Sequence, residues 1–220
     1  MSSFNGHWCK PTPKNLLLPL VLGIGATLSI FTTVPSASAQ TILLEDNFDM
    51  ENSGVGVFNY FDFAHWDVVE GSVDLIGNGF YDFFPGQGLF LDLDGTTNHA
   101  GTLVSKTAFT FNPGQVVELS FNLLGQNYYM VENNSLTVSL GDLFAETFSV
   151  ADRGLVTRQF SVEELTTANL IFDHAGGDQG GLLLDEVTLV VKDVPEPSSV
   201  LGLLAVGALG FRSLRQRKSC

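Results

Sequence analysis

Carboxylates are the side chains of this chain with the most obvious capacity for chemistry. The 220 residues include 24 Asp and Glu against 10 Lys and Arg. Asp92 and Asp94 stand two positions apart in an apolar run, so both carboxylates would point to the same face of a strand. Because like charges on one face repel, such a pair needs water or a cation between its members. The spacing predicts either solvated acids at a strand edge or oxygen ligands for Ca²⁺.

The sequence patterns of common catalytic sites are missing. Three histidines lie beyond residue 40, each within two residues of an Asp or Asn, and they are His65, His99 and His174. None belongs to a G-x-S-x-G, H-E-x-x-H or C-x-x-C pattern. A glycosidase would need one of two carboxylic acids to be held protonated in an apolar pocket, and no segment indicates such a pocket. We predict that the chain is not an enzyme, with a glycan-active hydrolase as an alternative.

Aromatic residues offer a second kind of chemistry. They crowd two segments, with Phe58, Tyr60, Phe61, Phe63 and Trp66 in the first and Phe80, Tyr81, Phe83 and Phe84 in the second. Sugars lay their apolar faces on exposed rings while amides and carboxylates bind the hydroxyls. Tyrosine suits a wet surface better than phenylalanine, and Tyr128 and Tyr129 lie in an amide-rich loop between two predicted strands. The predicted ligand-binding residues are Tyr128, Tyr129 and Trp66; packing in the core is the alternative for most rings.

The first 39 residues have the pattern of a secretory signal peptide. Lys10 and Lys14 precede an apolar stretch from Leu16 to Phe31, and Ala37-Ser38-Ala39 then presents small residues to a signal peptidase. Cleavage is predicted between Ala39 and Gln40, so signal peptidase is one processing partner.

The last residues read as a sorting signal. Pro195-Glu196-Pro197 precede an apolar run from Val200 to Phe211, and a basic cluster from Arg212 to Lys218 follows. The run is about 18 Å long as a helix, short for a permanent anchor, and the basic residues would stay in the cytoplasm. The segment resembles the PEP-CTERM sorting signal of Gram-negative bacteria. That resemblance implies processing by an exosortase, a membrane-embedded cysteine transpeptidase, after transient inner-membrane anchoring, and delivery to the cell surface or extracellular matrix.

Processing at both ends would leave a strongly acidic domain without cysteine. The only cysteines are Cys9 and Cys220, so residues 40–193 have no disulfide and no thiol nucleophile. These residues carry four basic against 23 acidic side chains, a net charge of −19. Such a surface repels nucleic acid and favours divalent cations or neutral sugars. The predicted organisation is a signal peptide in 1–39, one domain in 40–193 and a sorting and membrane segment in 194–220.

Short strands dominate the central domain. Alternation of apolar and polar residues in 116–121 and 136–140, and the apolar run 182–191, predict strands. Gly, Asn, Asp and Pro separate them from further candidate strands, one of which is Leu103 to Phe111. One helical turn is predicted at 162–166, capped by Ser161. About ten strands with almost no helix predict an all-β fold, an antiparallel β-sandwich or jelly roll.

Several short segments in order along this domain are similar to galactose-binding-like β-sandwiches, including the choice-of-anchor surface families. They are Asn47-Phe48-Asp49, Trp66, residues 71–76, 91–95 and 121–123, and Leu184-Asp185-Glu186-Val187. The resemblance implies carbohydrate-binding relatives and a structural calcium shared by the first and last strands, with Asp49 and Asp185 at the matching positions. Asp185 also interrupts an apolar run, and a carboxylate near a core strand needs a partner.

We therefore expect an exported, non-catalytic β-sandwich that binds or associates with exopolysaccharide, preferably a neutral one. A structural matrix or sheath protein without a discrete ligand is the main alternative.

Overall fold

The structure is a computed structural model that describes residues 39–97, 99–126 and 134–194. Within these ranges the chain forms thirteen β-strands and two short 3₁₀ helices, Glu51–Gly54 and Val150–Asp152. No helix in the described ranges has the length and apolar character needed to cross a membrane. The strands are β1 (Gln40–Asp46), β2 (Trp66–Glu70), β3 (Asp74–Gly77), β4 (Leu89–Asp92), β5 (Thr102–Ser105), β6 (Phe109–Phe111), β7 (Gln115–Gln126), β8 (Ser135–Leu140), β9 (Phe144–Ser149), β10 (Gly154–Ser161), β11 (Thr166–Ala168), β12 (Leu170–Ala175) and β13 (Leu182–Asp193).

Two antiparallel sheets make up the domain. The larger has the order β10-β7-β13-β4-β3, with β1 paired to the C-terminal half of β13, and the smaller has the order β2-β5-β12-β8-β9. A separate two-stranded ribbon joins β6 to β11. The predicted all-β antiparallel sandwich is confirmed.

The core lies between the two sheets and is built from their inward-facing rings. Phe121 of β7 meets Phe172 of β12 and Phe148 of β9 edge to face, with ring centroids 5.5 and 5.3 Å apart. The alternation that predicted β8 is visible in its burial, since every second side chain from Leu136 to Leu140 is fully buried. Each such ring stabilises the fold by several kcal/mol, on the order of 3–5 for Phe relative to Ala.

A second apolar layer covers the outside of the larger sheet. Ile76, Phe90 and Leu183 point away from the main core, and the connection between β3 and β4 packs Phe80, Phe83 and Phe84 over them. The second phenylalanine-rich segment of the sequence therefore mostly covers a sheet face.

Two local predictions were wrong. Residues 162–166 form no helical turn; Val162 instead exchanges backbone hydrogen bonds with the turn before β7, and Thr166 begins β11. The predicted single strand from Leu103 to Phe111 is two strands, because β5 pairs with β12 while β6 pairs with β11. Long-range pairing overrode local pattern in both cases.

Candidate functional site

Three aspartates from two distant segments form an acidic cluster, which we define as Asp46, Asp49 and Asp185. Asp46 ends β1 opposite Val187, at a bulge in β13 that directly follows Asp185. The bulge is marked by a positive φ of 51° at Glu186. A bulge re-aims side chains locally, and this one leaves Asp185 only 1% exposed while Glu186 faces solvent.

Asp49 is held in place by the start of β4. Its Oδ1 accepts a hydrogen bond from the backbone N–H of Leu89 at 2.8 Å, and its Oδ2 accepts one from the side chain of Asn47 at 3.0 Å. Gly88 makes this possible, because a Cβ at that position would lie 1.9 Å from Asp49 Oδ1 and its φ is +86°. The motif Asn47-Phe48-Asp49 therefore connects the end of β1 to the first residue of β4.

The pKa of Asp185 is raised to about 7, chiefly by burial and also by the charges of Glu186, Asp49 and Asp46, while the backbone hydrogen bond from Glu186 N–H acts in the opposite direction. The fold thus brings the two predicted calcium ligands, Asp49 and Asp185, within electrostatic reach of each other. Among the described residues, no group of three or more His, Cys, Asp or Glu side chains is arranged to hold a metal ion. Any ion at the acidic cluster would therefore also need main-chain carbonyls and water as ligands.

The predicted ligand platform at Trp66 is wrong. Its side chain is fully buried, its ring packs edge to face against Phe172 with centroids 5.5 Å apart, and its indole N–H donates to Asp46 Oδ2 at 2.9 Å. A ring enclosed on all sides cannot offer a face to a sugar, so Trp66 is a core residue that also positions Asp46.

One tyrosine of the second aromatic segment reaches the surface. Tyr81 is 55% exposed and belongs to an aromatic ridge, which we define as Phe58, Phe80 and Tyr81. The ring of Tyr81 lies 4.8 Å from Phe58 and 5.2 Å from Phe80, both in edge-to-face contact. Gly56 leaves the space that Phe80 needs, since a Cβ there would lie 2.7 Å from that ring. Two neighbouring rings thus support an exposed aromatic side chain.

An open groove of about 620 Å³, which we call the end groove, lies where several strands of the sandwich end. It is lined by Glu70, Gly71, Thr97, His99, Ala100, His174, Ala175 and Gly176. A glycine is required at position 71, because the φ of Gly71 is +61° and a Cβ there would lie 1.9 Å from the carbonyl oxygen of Ala100. Of the lining histidines, His174 is buried and His99 is exposed. Sequence reasoning did not connect these two residues.

The predicted ligand residues Tyr128 and Tyr129 and the sorting motif Pro195-Glu196-Pro197 lie outside the described residues. The residues that flank 127–133 are described: Gln126 is paired with Leu182, and the side chain of Asn134 donates to the carbonyl of Gly180 at 2.6 Å. Both therefore lie near the connection between β12 and β13.

The boundaries of the described domain lie close to the predicted processing sites. The first strand begins at Gln40, directly after Ala39, and the last strand ends at Asp193. Gln40 is paired with Lys192, so the two ends of the domain are adjacent. The cleavage site between Ala39 and Gln40 stays a prediction.

Comparison with protein families identifies the C-terminal signal. Residues 193–218 match the PEP-CTERM protein-sorting motif. The predicted resemblance of this segment is confirmed, and the motif implies export and exosortase-mediated sorting to the surface. Comparison with curated proteins gives no match.

Among solved structures, the chain is similar to several carbohydrate-binding modules. The CBM22-1 xylan-binding domain of Paenibacillus barcinonensis Xyn10C is 18% identical, with 73% of this chain and 100% of that chain covered and a TM-score of 0.38. The CBM29_1 module of Piromyces equi is 10% identical, with 70% and 91% covered and a TM-score of 0.34. The CBM22-1–GH10 modules of Clostridium thermocellum Xyn10B, complexed with xylohexaose, are 13% identical, with 70% and 29% covered and a TM-score of 0.40. With TM-scores this low, these likenesses indicate no ligand for this chain.

Proposed function

We propose that this protein is a non-catalytic, exosortase-sorted surface or matrix protein whose β-sandwich binds a neutral polysaccharide. The PEP-CTERM motif in residues 193–218 carries the proposal, because it directs the domain to the polysaccharide-rich outside of the cell. The jelly-roll, galactose-binding-like topology is part of the same proposal. Exosortase and signal peptidase are its processing partners.

The charge of the domain supports a neutral ligand. Residues 40–193 carry a net charge of −19, and of their four cations Arg158 and Lys192 form ion pairs with Glu146 and Glu118 at 2.6 and 2.8 Å. A polyanion would meet repulsion with few free cations to offset it, whereas a neutral sugar would need only hydroxyl and ring contacts.

The aromatic ridge is the described surface that best suits a sugar. The edge-to-face contacts with Phe58 and Phe80 restrict the ring of Tyr81 before any ligand binds, so binding would cost little side-chain entropy. Its hydroxyl lets the exposed ring lie at a wet surface. Tyr128 and Tyr129 also remain proposed ligand residues.

Replacing Tyr81 with alanine is expected to weaken retention on a neutral polysaccharide about tenfold, because one supported aromatic contact contributes about 1–2 kcal/mol. The matched control is Phe61→Ala, since Phe61 is 53% exposed and has no aromatic contact recorded among the described residues. Affinity electrophoresis in gels of cellulose derivative, xylan, mannan or glucan would measure both variants and Tyr128→Ala/Tyr129→Ala. Equal retention of the parent and all variants would contradict polysaccharide binding by the aromatic ridge. If the parent were retained on none of the gels, the alternative of a structural matrix protein without a discrete ligand would be favoured.

Replacing Pro195-Glu196-Pro197 with alanines is expected to hold the protein in the membrane fraction and to remove it from the surface, because the exosortase would no longer recognise the tail. The domain should keep its fold, since the last strand ends at Asp193, before the replaced residues. Cell fractionation and protease shaving of the parent and the variant would measure the change. Unchanged surface display of the alanine variant would contradict sorting by this motif.

We also propose that the acidic cluster binds a structural calcium ion through Asp49 and Asp185. Support comes from the burial of Asp185 and from the like charges of Glu186, Asp49 and Asp46 that act on it. When bound, the ion would neutralise these charges and join β1 to β13. Its loss in Asp185→Asn is measured in the titration described in the next subsection.

A further inference from the structure

A second set of buried polar groups lies at the end of the sandwich, under the end groove. Asp94 follows β4 and is 0% exposed. Its Oδ2 accepts backbone hydrogen bonds from Gly177 at 2.6 Å and from Asp178 at 3.0 Å. Two backbone N–H groups of the connection between β12 and β13 therefore bind the carboxylate of Asp94.

Four oxygen atoms of this set have no hydrogen-bond partner among the described residues. They are Oδ1 of Asp94, Oδ1 of Asn134 and both carboxylate oxygens of Asp178, all inaccessible to solvent. Asp94 and Asn134 are buried as whole residues, at 0% and 6% exposure. Buried polar atoms are nearly always bonded, so four unpartnered acceptors in one place require an explanation.

The backbone leaves space at this point. A Cβ on Gly176 would lie 2.7 Å from Asn134 Oδ1 and 2.8 Å from Asp94 Oδ2, so both side chains approach the bare α-carbon of Gly176. Asp178 is two residues further on and already joined to Asp94 through its backbone N–H. The glycine thus allows a carboxylate oxygen of Asp94 and the amide oxygen of Asn134 to converge on the chain segment that contains Asp178.

The neighbouring histidine cannot satisfy these acceptors. His174 Nε2 accepts the backbone N–H of Leu182 at 3.1 Å, which assigns the proton of the neutral ring to Nδ1. That Nδ1 is buried and has no partner among the described residues. Burial lowers the pKa of His174 to about 4, so the ring is neutral at physiological pH. A single N–H donor could not satisfy four acceptors, and a neutral ring offsets neither carboxylate charge.

We propose that Asp94, Asp178 and Asn134 form a divalent-cation site that accepts calcium. All the free ligand atoms are oxygens, and the one nearby nitrogen carries a proton, so the donor set suits a hard cation and excludes a zinc-type site. Because only two of the ligands are carboxylates, main-chain carbonyls and water would complete the coordination. Water alone would supply donors but would leave two desolvated negative charges uncompensated.

The site would have a mechanical consequence. Asp94 follows β4 of the larger sheet, Asn134 directly precedes β8 of the smaller sheet, and Asp178 lies in the connection between β12 and β13. A cation bound by these residues would tie both sheets together at the end of the sandwich. This inference does not depend on the proposed polysaccharide binding.

The test is calorimetric titration of CaCl₂ into the chelator-stripped full chain, with MgCl₂ as the selectivity control. We expect Asp178→Asn to lose one calcium equivalent, or to weaken that site by about tenfold or more. Asp185→Asn should lose the other equivalent, at the acidic cluster, and keep this one. Asp173→Asn is the matched control, because Asp173 lies in the same strand end as an exposed acid that accepts from Thr102 at 2.7 Å.

Thermal melting of the same variants gives a second readout. In chelator, Asp178→Asn should raise the melting temperature relative to the parent, because it removes an uncompensated buried charge. In calcium it should lower the melting temperature, because it removes a ligand. If water alone fills the site, the variant shifts the melting temperature by the same amount in both solutions, and the proposal is overturned. Equal calcium binding by parent and Asp178→Asn would overturn it too, whatever Asp185→Asn shows.

Discussion

Replacing Asp185 with asparagine is expected to make the free energy of unfolding fall by about 3 kcal/mol between pH 6.5 and pH 4, whereas the parent should change much less. The expectation concerns the metal-free protein in chelator. It arises because two buried groups, Asp185 and His174, have pKa values displaced in opposite directions.

The two groups compensate each other over one pH range. Burial raises the pKa of Asp185 from 3.8 to about 7. Its contribution to stability is thus fully present below pH 3.8 and is lost as the pH rises towards 7. Burial lowers the pKa of His174 from 6.5 to about 4. Its contribution is fully present above pH 6.5 and is lost as the pH falls towards 4. Between these limits folding takes up one proton at Asp185 and releases one at His174, so the net dependence is small.

The complementary variant should show the opposite slope. His174→Gln removes the histidine titration and keeps a side-chain acceptor for the Leu182 N–H, so stability should now fall by about 4 kcal/mol as the pH rises from 4 to 7. Urea unfolding at several pH values, followed by circular dichroism, would measure parent, single variants and the double variant. Parallel pH profiles for the parent and both single variants would contradict opposed titrations.

The sequence predicted the sheets where burial imposes alternation. Residues 116–121 and 136–140 alternate because one side of β7 and of β8 faces the core, and both predictions fall inside the observed strands. The prediction of a helical turn at 162–166 was wrong because it used a local pattern, whereas Thr166 pairs with Phe111, a residue far away in the sequence. Local patterns carry no information on such pairings.

The candidate sites were predicted only in part, for a similar reason. The resemblance to galactose-binding-like sandwiches selected Asp49 and Asp185, which the fold brings into electrostatic reach. Asp94 was noticed only for its spacing from Asp92, since a single sequence cannot show that Asn134 and Asp178 meet it under one groove. The strongest sequence signal for Asp94 was its position as an acid within the apolar run before Gly95. The bulge at Glu186, which buries Asp185, has no sequence signature of its own.

The burial of Trp66 leads to the other large expected effect. Trp66→Ala should lower the free energy of unfolding by about 3–5 kcal/mol, because it removes a fully buried ring that packs on Phe172. For a domain of this size the melting temperature should fall by on the order of 10 °C. Phe61→Ala, on an exposed ring of the same segment, should change stability by less than about 0.5 kcal/mol.

A conservative replacement separates packing from hydrogen bonding at this position. Trp66→Phe keeps an aromatic ring in the core but removes the N–H that donates to Asp46 Oδ2, so it should cost about 1–2 kcal/mol, less than the alanine variant. Combining it with Asp46→Asn should recover part of that loss, because the carboxylate left without its donor is then neutral and no longer repels Asp185. Denaturant melts of the three variants would measure the differences. If Trp66→Ala kept the parent's stability and instead lost polysaccharide retention, the ring would be a surface platform after all, and its place in the core would be contradicted.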